Sequence, residues 1–240
     1  MIKKRIQKLI NRFDKYKIDG YVIPKNDEFF SEYSINDRLK TISNFTGSAG
    51  YSVILKDKYY LFVDGRYTIQ ADKESGKIFK IISYDKIVNC NLFKNLTLGV
   101  DPKILTSQQI KRYFSKHNKI KIIKENLIDQ VYKKKSVFHK PFFSIDDDIV
   151  GESYKEKLLK IKKYLNKNNS DFIFITAPEN VAWLLNIRGV DSPNSPIPNS
   201  HLLIDKKNNL YLICEKKKAK KIIIEKKISK KHVIEFGDFE

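Results

Sequence analysis

The chain has 240 residues, room for one large or two ordinary α/β domains at roughly 100 to 200 residues each. Hydrophobic residues make up 41%, charged residues 31% and aromatics 12%, with only 9 Gly and 7 Pro, a balance that excludes wholesale disorder and a fibrous repeat. The formal charge of +19 raises a nucleic-acid or anionic-membrane partner, but only six of the 47 basic residues are arginine, the side chain that base and phosphate recognition favours, so composition weighs against nucleic acid.

Taken in chain order, Ile2, Ile6, Leu9, Ile10 and Phe13 recur at spacings of three and four and predict an amphipathic helix over 2–16, ended at Asp19-Gly20. Tyr21-Val22-Ile23 reads as a short buried strand stopped by Pro24, and Phe29 to Asn44 carries mostly helical patterning. Tyr51 to Leu55 and Tyr59 to Val63 form a β-hairpin around Lys56-Asp57-Lys58. A helix over Thr68 to Ser75, a strand over Ile78 to Ile82 and a strand over Leu98 to Val100 follow. Thr106 caps a helix running to His117, and Ile120 to Ile123 is a strand.

Periodicity then fails around Pro141 and Asp146-Asp147-Asp148, which sets a linker at 136–152 between a first domain at 1–135 and a second at 153–240. The second holds a helix over Ser153 to Leu165, a strand over Asp171 to Thr176, and a short helix over Glu179 to Asn186. A hairpin follows over His201 to Asp205 and Leu210 to Cys214, then a helix over Glu215 to Ile224 and a strand over Val233 to Phe236. Both halves repeat one order: helix, a strand opened by an acid (Asp19, Asp171), a short helix, NFTG or NIRG, and a lysine-rich hairpin. The second copy stops where the first continues through Thr106 to Ile123, so it is expected to be incomplete at its C-terminus.

Cys90 and Cys214 are far apart and form no CxxC pair, which points to a reducing cytoplasm rather than a disulfide or cysteine–zinc scaffold. The longest apolar runs fall far short of the roughly 20 residues that span a bilayer, and the charged N-terminus carries no secretory signal. Gly47-Ser48-Ala49-Gly50 lacks the spacing of a phosphate cradle and reads as a tight turn. The run Lys216 to Lys221 reads as a solvated helix face. Arg66, at the strand end Asp64-Gly65-Arg66-Tyr67, either projects into a cleft to clamp a carboxylate or pairs with a local acid, and the residues divide these readings evenly. Trp183 and Arg188 in ENVAWLLNIRG are the other candidates, as an indole and guanidinium lining a pocket, with burial of Trp183 in the helix–sheet core the favoured alternative. His117, His139, His201 and His232 show no HExxH or HxH spacing, and no GxSxG elbow occurs, so no catalytic machinery is visible.

Together the segments SEYSINDRLKTISNFTGSAGYSVILKDKYYLFVDGRYTIQADKE, GVDPKILTSQQI, KENLIDQVYKKK, GESYKEKLLKIKKYL and ENVAWLLNIRGVDSPNSPIPNSHLLI resemble, in order, the N-terminal half of the three-domain Xaa-Pro aminopeptidases. The resemblance implies two tandem creatinase N-terminal-like α/β domains, ribonuclease H-like, each a mixed six-stranded sheet flanked by helices, with the second truncated. It implies a cytoplasmic metallopeptidase that releases the N-terminal residue ahead of proline, with two divalent metals, usually manganese, held by a C-terminal catalytic domain not found here. This chain would then be non-catalytic, capping that domain and aiding access of proline peptides, in an enzyme expected to be a homodimer away from membranes. By the same resemblance Arg66 reaches the bound peptide, while Asn44 to Gly50 and Trp183 to Gly189 take scaffold or interdomain roles. The family's aromatics after RGxD are missing from Ser195 to His201. A stand-alone basic binding or regulatory module is the alternative.

Overall fold

The computed structural model describes residues 2–31, 34–88, 90–132 and 140–239. The chain divides into two compact units, Met1–Lys135 and Ser136–Glu240.

In the first unit the amphipathic N-terminus forms α1 (Ile2–Ile10) and, after a break at Asn11-Arg12, α2 (Phe13–Tyr16), burying Ile2, Ile6, Leu9 and Phe13. Then come β1 (Gly20–Pro24), α3 (Arg38–Ser43), the hairpin β2 (Gly50–Leu55) and β3 (Tyr59–Val63), α4 (Thr68–Ser75) and β4 (Lys80–Ser83). The unit continues with β5 (Thr97–Val100), α5 (Ser107–Tyr113) behind a Thr106–Gln109 capping box, β6 (Lys119–Ile122) and α6 (Leu127–Val131).

Six strands pair in the order β4-β3-β2-β1-β5-β6. β2 is antiparallel to both β1 and β3, whereas β4, β5 and β6 join in parallel. Both faces are covered. Tyr21, Ile23, Ile54, Leu61 and Val63 pack beneath α1, α3 and α4, and Val22, Val53, Tyr60, Phe62 and Leu98 pack against Ile87, Phe93, Leu105 and Phe114 on the other side. Strands buried on both faces read as unbroken apolar runs, which is why β1 and β2 show no alternation. The helical patterning over Phe29 to Asn44 yields a helix only from Arg38. The Asp27 carboxylate accepts the amides of Phe29 and Ser31 in an Asx turn, and Phe30 takes a left-handed φ of 58°, so that stretch cannot be helical.

In the second unit the elements are β7 (Phe143–Ser144), α7 (Asp147–Val150), α8 (Tyr154–Lys167) behind a Ser153–Glu156 capping box, β8 (Phe172–Ile175), α9 (Pro178–Leu185) and β9 (Ile187–Arg188). The hairpin β10 (His201–Asp205) and β11 (Leu210–Ile213), α10 (Lys220–Ile224) and β12 (Val233–Ile234) complete it. A four-stranded sheet runs β12-β11-β10-β8, and β7 pairs separately with β9. The described second sheet therefore differs from the six strands that the resemblance implies. Ile173, Leu202, Ile204 and Leu212 meet Leu158, Val181, Leu184 and Ile222 on one face.

Two further expectations are corrected. Residues 136–139 of the expected linker lie outside the described residues, but the rest of that stretch is structured: Phe142 is fully buried in the second core, β7 is antiparallel to β9, and α7 ends on Gly151 with φ of 73°. The helix expected over Glu215 to Ile224 starts only at Lys220, because the Lys218 amide turns back onto the Glu215 carbonyl.

Candidate functional site

β3 delivers the Asp64-Gly65-Arg66-Tyr67 turn to one end of the first sheet. Asp64 holds it: one carboxylate oxygen accepts the Arg66 amide at 3.0 Å and the Arg66 Nε at 2.8 Å, which keeps its carboxyl below the usual carboxylate range. The Arg66 guanidinium stays 74% exposed and stacks 5.5 Å from the Tyr67 ring centroid. Arg66 thus pairs with a local acid, Asp64, and its side chain stays largely exposed.

The loop Asn44 to Gly50 supports this turn from below. Tyr67 meets Phe45 edge-to-face at 5.9 Å, and its hydroxyl hydrogen-bonds to Ser48 Oγ at 2.9 Å. A Cβ on Gly47 would sit 2.3 Å from the Phe45 ring and 3.0 Å from that of Tyr67, so glycine is required for close approach rather than for cradling phosphate. The two motifs pack together as one platform beside the Arg66 turn.

In the second unit Trp183 is 57% exposed, contrary to the expected burial. α9 turns Val181, Ala182, Leu184 and Leu185 inward, and residue 183 faces away from them. Under its ring lies Lys157, 3% exposed, with Nζ 4.3 Å from the ring centroid. Lys157 Nζ also donates to Asn186 Oδ1 at 2.6 Å and to the Trp183 carbonyl at 2.8 Å, and burial lowers its pKa. Arg188 Nη1 donates to the carbonyls of Ile187 at 2.9 Å and Ala182 at 3.3 Å. The structure therefore gathers Trp183, Arg188 and Lys157 around the C-terminal end of α9.

Sequence reasoning missed the buried ion pairs. Lys218, within the run expected to be a solvated face, is 4% exposed and donates to Asp191 at 2.8 Å. The other Asp191 oxygen accepts the Asn199 amide at 2.8 Å, tying down the loop after β9, and a Cβ on Gly189 would meet the Pro198 backbone at 2.7 Å. In the first unit Arg38, 3% exposed, forks onto Asp129 at 2.7 and 2.9 Å and onto Glu28 at 2.5 Å, and Lys25 pairs with Asp37. Among the described residues no three His, Cys, Asp or Glu side chains are grouped to hold a metal ion, so no step through a metal is assigned to this chain. No helix among them is long and apolar enough to cross a membrane.

Two α/β units that share a four-strand order, β4-β3-β2-β1 in the first and β12-β11-β10-β8 in the second, define a tandem scaffold. The chain belongs to the creatinase/prolidase N-terminal domain family, whose models match residues 5–130 and, in a second form, 133–238. It is 32% identical over 215 residues to a probable Xaa-Pro aminopeptidase P of Laccaria bicolor, covering 81% of this chain and 33% of that protein. It is 31% identical over 237 residues to Xaa-Pro aminopeptidase 1 of Dictyostelium discoideum, covering 85% and 36%. The chain spans about a third of the length of these curated relatives. The solved X-prolyl aminopeptidase of Caenorhabditis elegans, described as a cytosolic enzyme with a di-nuclear active site, shares the fold. Its TM-score is 0.87 at 24% identity, over 99% of this chain and 43% of that one.

Removing one partner of a buried ion pair strands the other charge, so Asp191→Ala should cost about 3 to 5 kcal/mol in chemical denaturation. Asp191→Leu combined with Lys218→Met should recover most of that loss but not the Asn199 anchor. If Lys218→Met alone costs no more than Lys216→Met, the buried pair holds nothing. His201 supplies a pH test. Burial against Phe174 and Phe236 lowers its pKa below 6.5, although its Nδ1 lies 2.8 Å from the Thr176 carbonyl. The unfolded chain binds the proton more readily, so this stability is complete above pH of about 6.5 and is lost as pH falls below it. Melting temperature between pH 7 and 5 should drop more in the parent than in His201→Gln, and parallel curves would refute the assignment.

Proposed function

We propose that this chain is the N-terminal, non-catalytic part of a cytoplasmic Xaa-Pro aminopeptidase, which releases the N-terminal residue of peptides whose second residue is proline. The observation that carries the reading is the similarity to relatives bearing that name across 81% to 85% of the chain, through both family-model regions in order. In this reading the two divalent metals, manganese by preference, and their ligands belong to a catalytic domain supplied by further polypeptide. The whole enzyme works as a homodimer, and the present units cap that domain and shape access for the peptide.

Arg66 is the residue proposed to touch substrate. Its support is the platform just described: Asp64, Tyr67, Phe45 and Ser48 fix the turn while the guanidinium stays outward. A fixed fork can hold a peptide carbonyl or carboxylate at little entropic cost. Trp183 and Arg188 take an interdomain role, with the exposed indole as the contacting surface and Arg188 holding the end of α9.

Charge-assisted hydrogen bonds contribute roughly 1.5 to 3 kcal/mol, so in the complete enzyme Arg66→Ala should raise KM for longer peptides about tenfold to a hundredfold. Arg66→Lys should restore only part of this, and melting temperature should hardly move. The chain alone should hydrolyse no Xaa-Pro peptide with manganese added. A drop in melting temperature with unchanged peptide kinetics would instead assign Arg66 to the turn and withdraw it from substrate binding.

A further inference from the structure

α4 follows the Asp64-Gly65-Arg66-Tyr67 turn without a break, beginning at Thr68, and contacts the loop that supports that turn. Three contacts join helix and loop in opposite chain order. Ser75 Oγ, at the end of the helix, donates to the Ser43 carbonyl at 2.9 Å, Glu74 and Gln70 hold Thr46, and Tyr67, just before the helix, meets Ser48 at 2.9 Å. The loop is thereby stapled along its length to the element that carries Arg66 at its head.

The middle contact is the charged one. Glu74 grips Thr46 with both carboxylate oxygens: Oε2 accepts the backbone amide at 2.8 Å and Oε1 accepts the hydroxyl at 2.7 Å. Gln70 closes the ring, its Nε2 donating to Thr46 Oγ1 at 2.7 Å and to Glu74 Oε1 at 3.1 Å. Hydrogen bonds to an ionised acceptor are roughly twice as strong as neutral ones. Burial alone would raise the Glu74 carboxyl, but the Thr46 hydroxyl and amide, Gln70 and the charge of Lys40 overcome it and hold the group below the usual carboxylate range. Both oxygens are therefore acceptors at neutral pH.

These bonds cross 28 positions of sequence and contribute nothing to the helix ladder, whereas the neighbours Asp72 and Lys73 simply face solvent. What they fix is Thr46, and the residues flanking it decide where Tyr67 sits. Phe45 meets the Tyr67 ring edge-to-face, Ser48 holds its hydroxyl, and the Arg66 guanidinium stacks on that same ring. We propose that Glu74, supported by Gln70, is the positioning residue of the Arg66 turn: by clamping Thr46 it fixes the seat of Tyr67 and so the direction of the guanidinium. Its consequence for catalysis rests on the reading of Arg66 as a substrate contact, while the clamp itself belongs to this chain.

Hydrogen exchange at the Arg66 Nε–H, followed by NMR in this chain, reads the order of the turn. Glu74→Ala, which removes both acceptors, should speed it about tenfold, and Glu74→Gln, which keeps one oxygen, should speed it less. Lys73→Ala, on the exposed side of the same helix, should leave it unchanged. In the complete enzyme Glu74→Ala should raise KM for longer peptides severalfold with kcat held, in the direction of Arg66→Ala and short of its size. A lower melting temperature with Arg66 exchange unchanged makes Glu74 a packing residue only and overturns the proposal. If Glu74→Ala speeds exchange throughout the first unit, Thr46→Val decides, because it removes the hydroxyl and keeps the amide: faster exchange confined to the Arg66 turn upholds the clamp, and no change there overturns it. The two readings fail separately. Faster Arg66 exchange in Glu74→Ala, with KM unmoved in it and in Arg66→Ala, keeps the clamp and withdraws Arg66 from the substrate. A KM raised by Arg66→Ala, with Arg66 exchange untouched by Glu74→Ala, keeps the substrate contact and removes the clamp.

Discussion

A pleated strand sends side chains alternately to opposite faces, so a sheet that is apolar on both sides has to be covered twice before it is stable in water. The first unit meets this demand over its central strands, while β4 and β6 at the edges stay partly exposed. Its helices α1, α3 and α4 seal one face, and the stretch carrying Ile87, Phe93, Leu105 and Phe114 seals the other, leaving β1 and β2 wholly buried. The second unit meets it once, through α8, α9 and α10, and carries aromatics on the face left over. That difference between two copies of one four-strand order governs where the chain is rigid and where it offers surface.

Caps and buried pairs hold the loops of both units. α3 and α9 both end on an asparagine in the left-handed region, Asn44 with φ of 69° and Asn186 with φ of 49°, and each releases the chain toward a candidate segment. Asn44 leads into the loop that props the Arg66 turn. Asn186 receives Lys157 and leads through Arg188 to the loop pinned by Asp191 and Lys218. Buried ion pairs are weak evidence for net stability, but each fixes one conformation because its alternatives strand a charge. Arg38 does the same for the segment before α3 by joining Glu28 to Asp129, which lies 91 positions after Arg38 itself.

Local signals made much of this visible in the residues. The hairpin of β2 and β3 announced itself by two apolar runs around Lys56-Asp57-Lys58, α4 by its boundaries, and α5 and α8 by Thr106 and Ser153 as caps. The repeated asparagine and glycine pairs were legible as a duplication because the same backbone release recurs in both copies. Trp183 was legible too and was misjudged: Val181, Leu184 and Leu185 already define the inner face of α9, and residue 183 falls outside it. Lys218 was not legible. Nothing local separates it from its neighbours in the lysine run, and its burial depends on Asp191, 27 positions earlier. The short α6 and the β7–β9 pair were hidden for the same reason, since their stability comes from long-range partners rather than from periodicity.

The central claim is that one four-strand order occurs twice, covered on both faces in the first unit and on one face in the second. Limited proteolysis of the purified chain with trypsin tests it most directly, because cleavage reports which unit opens first and lysines are spread through both. The account predicts early trimming within the Lys216 to Lys231 region and a persistent product close to Met1–Lys135. Loss of the first unit ahead of the second, or equal resistance of the two through residue 239, would contradict it.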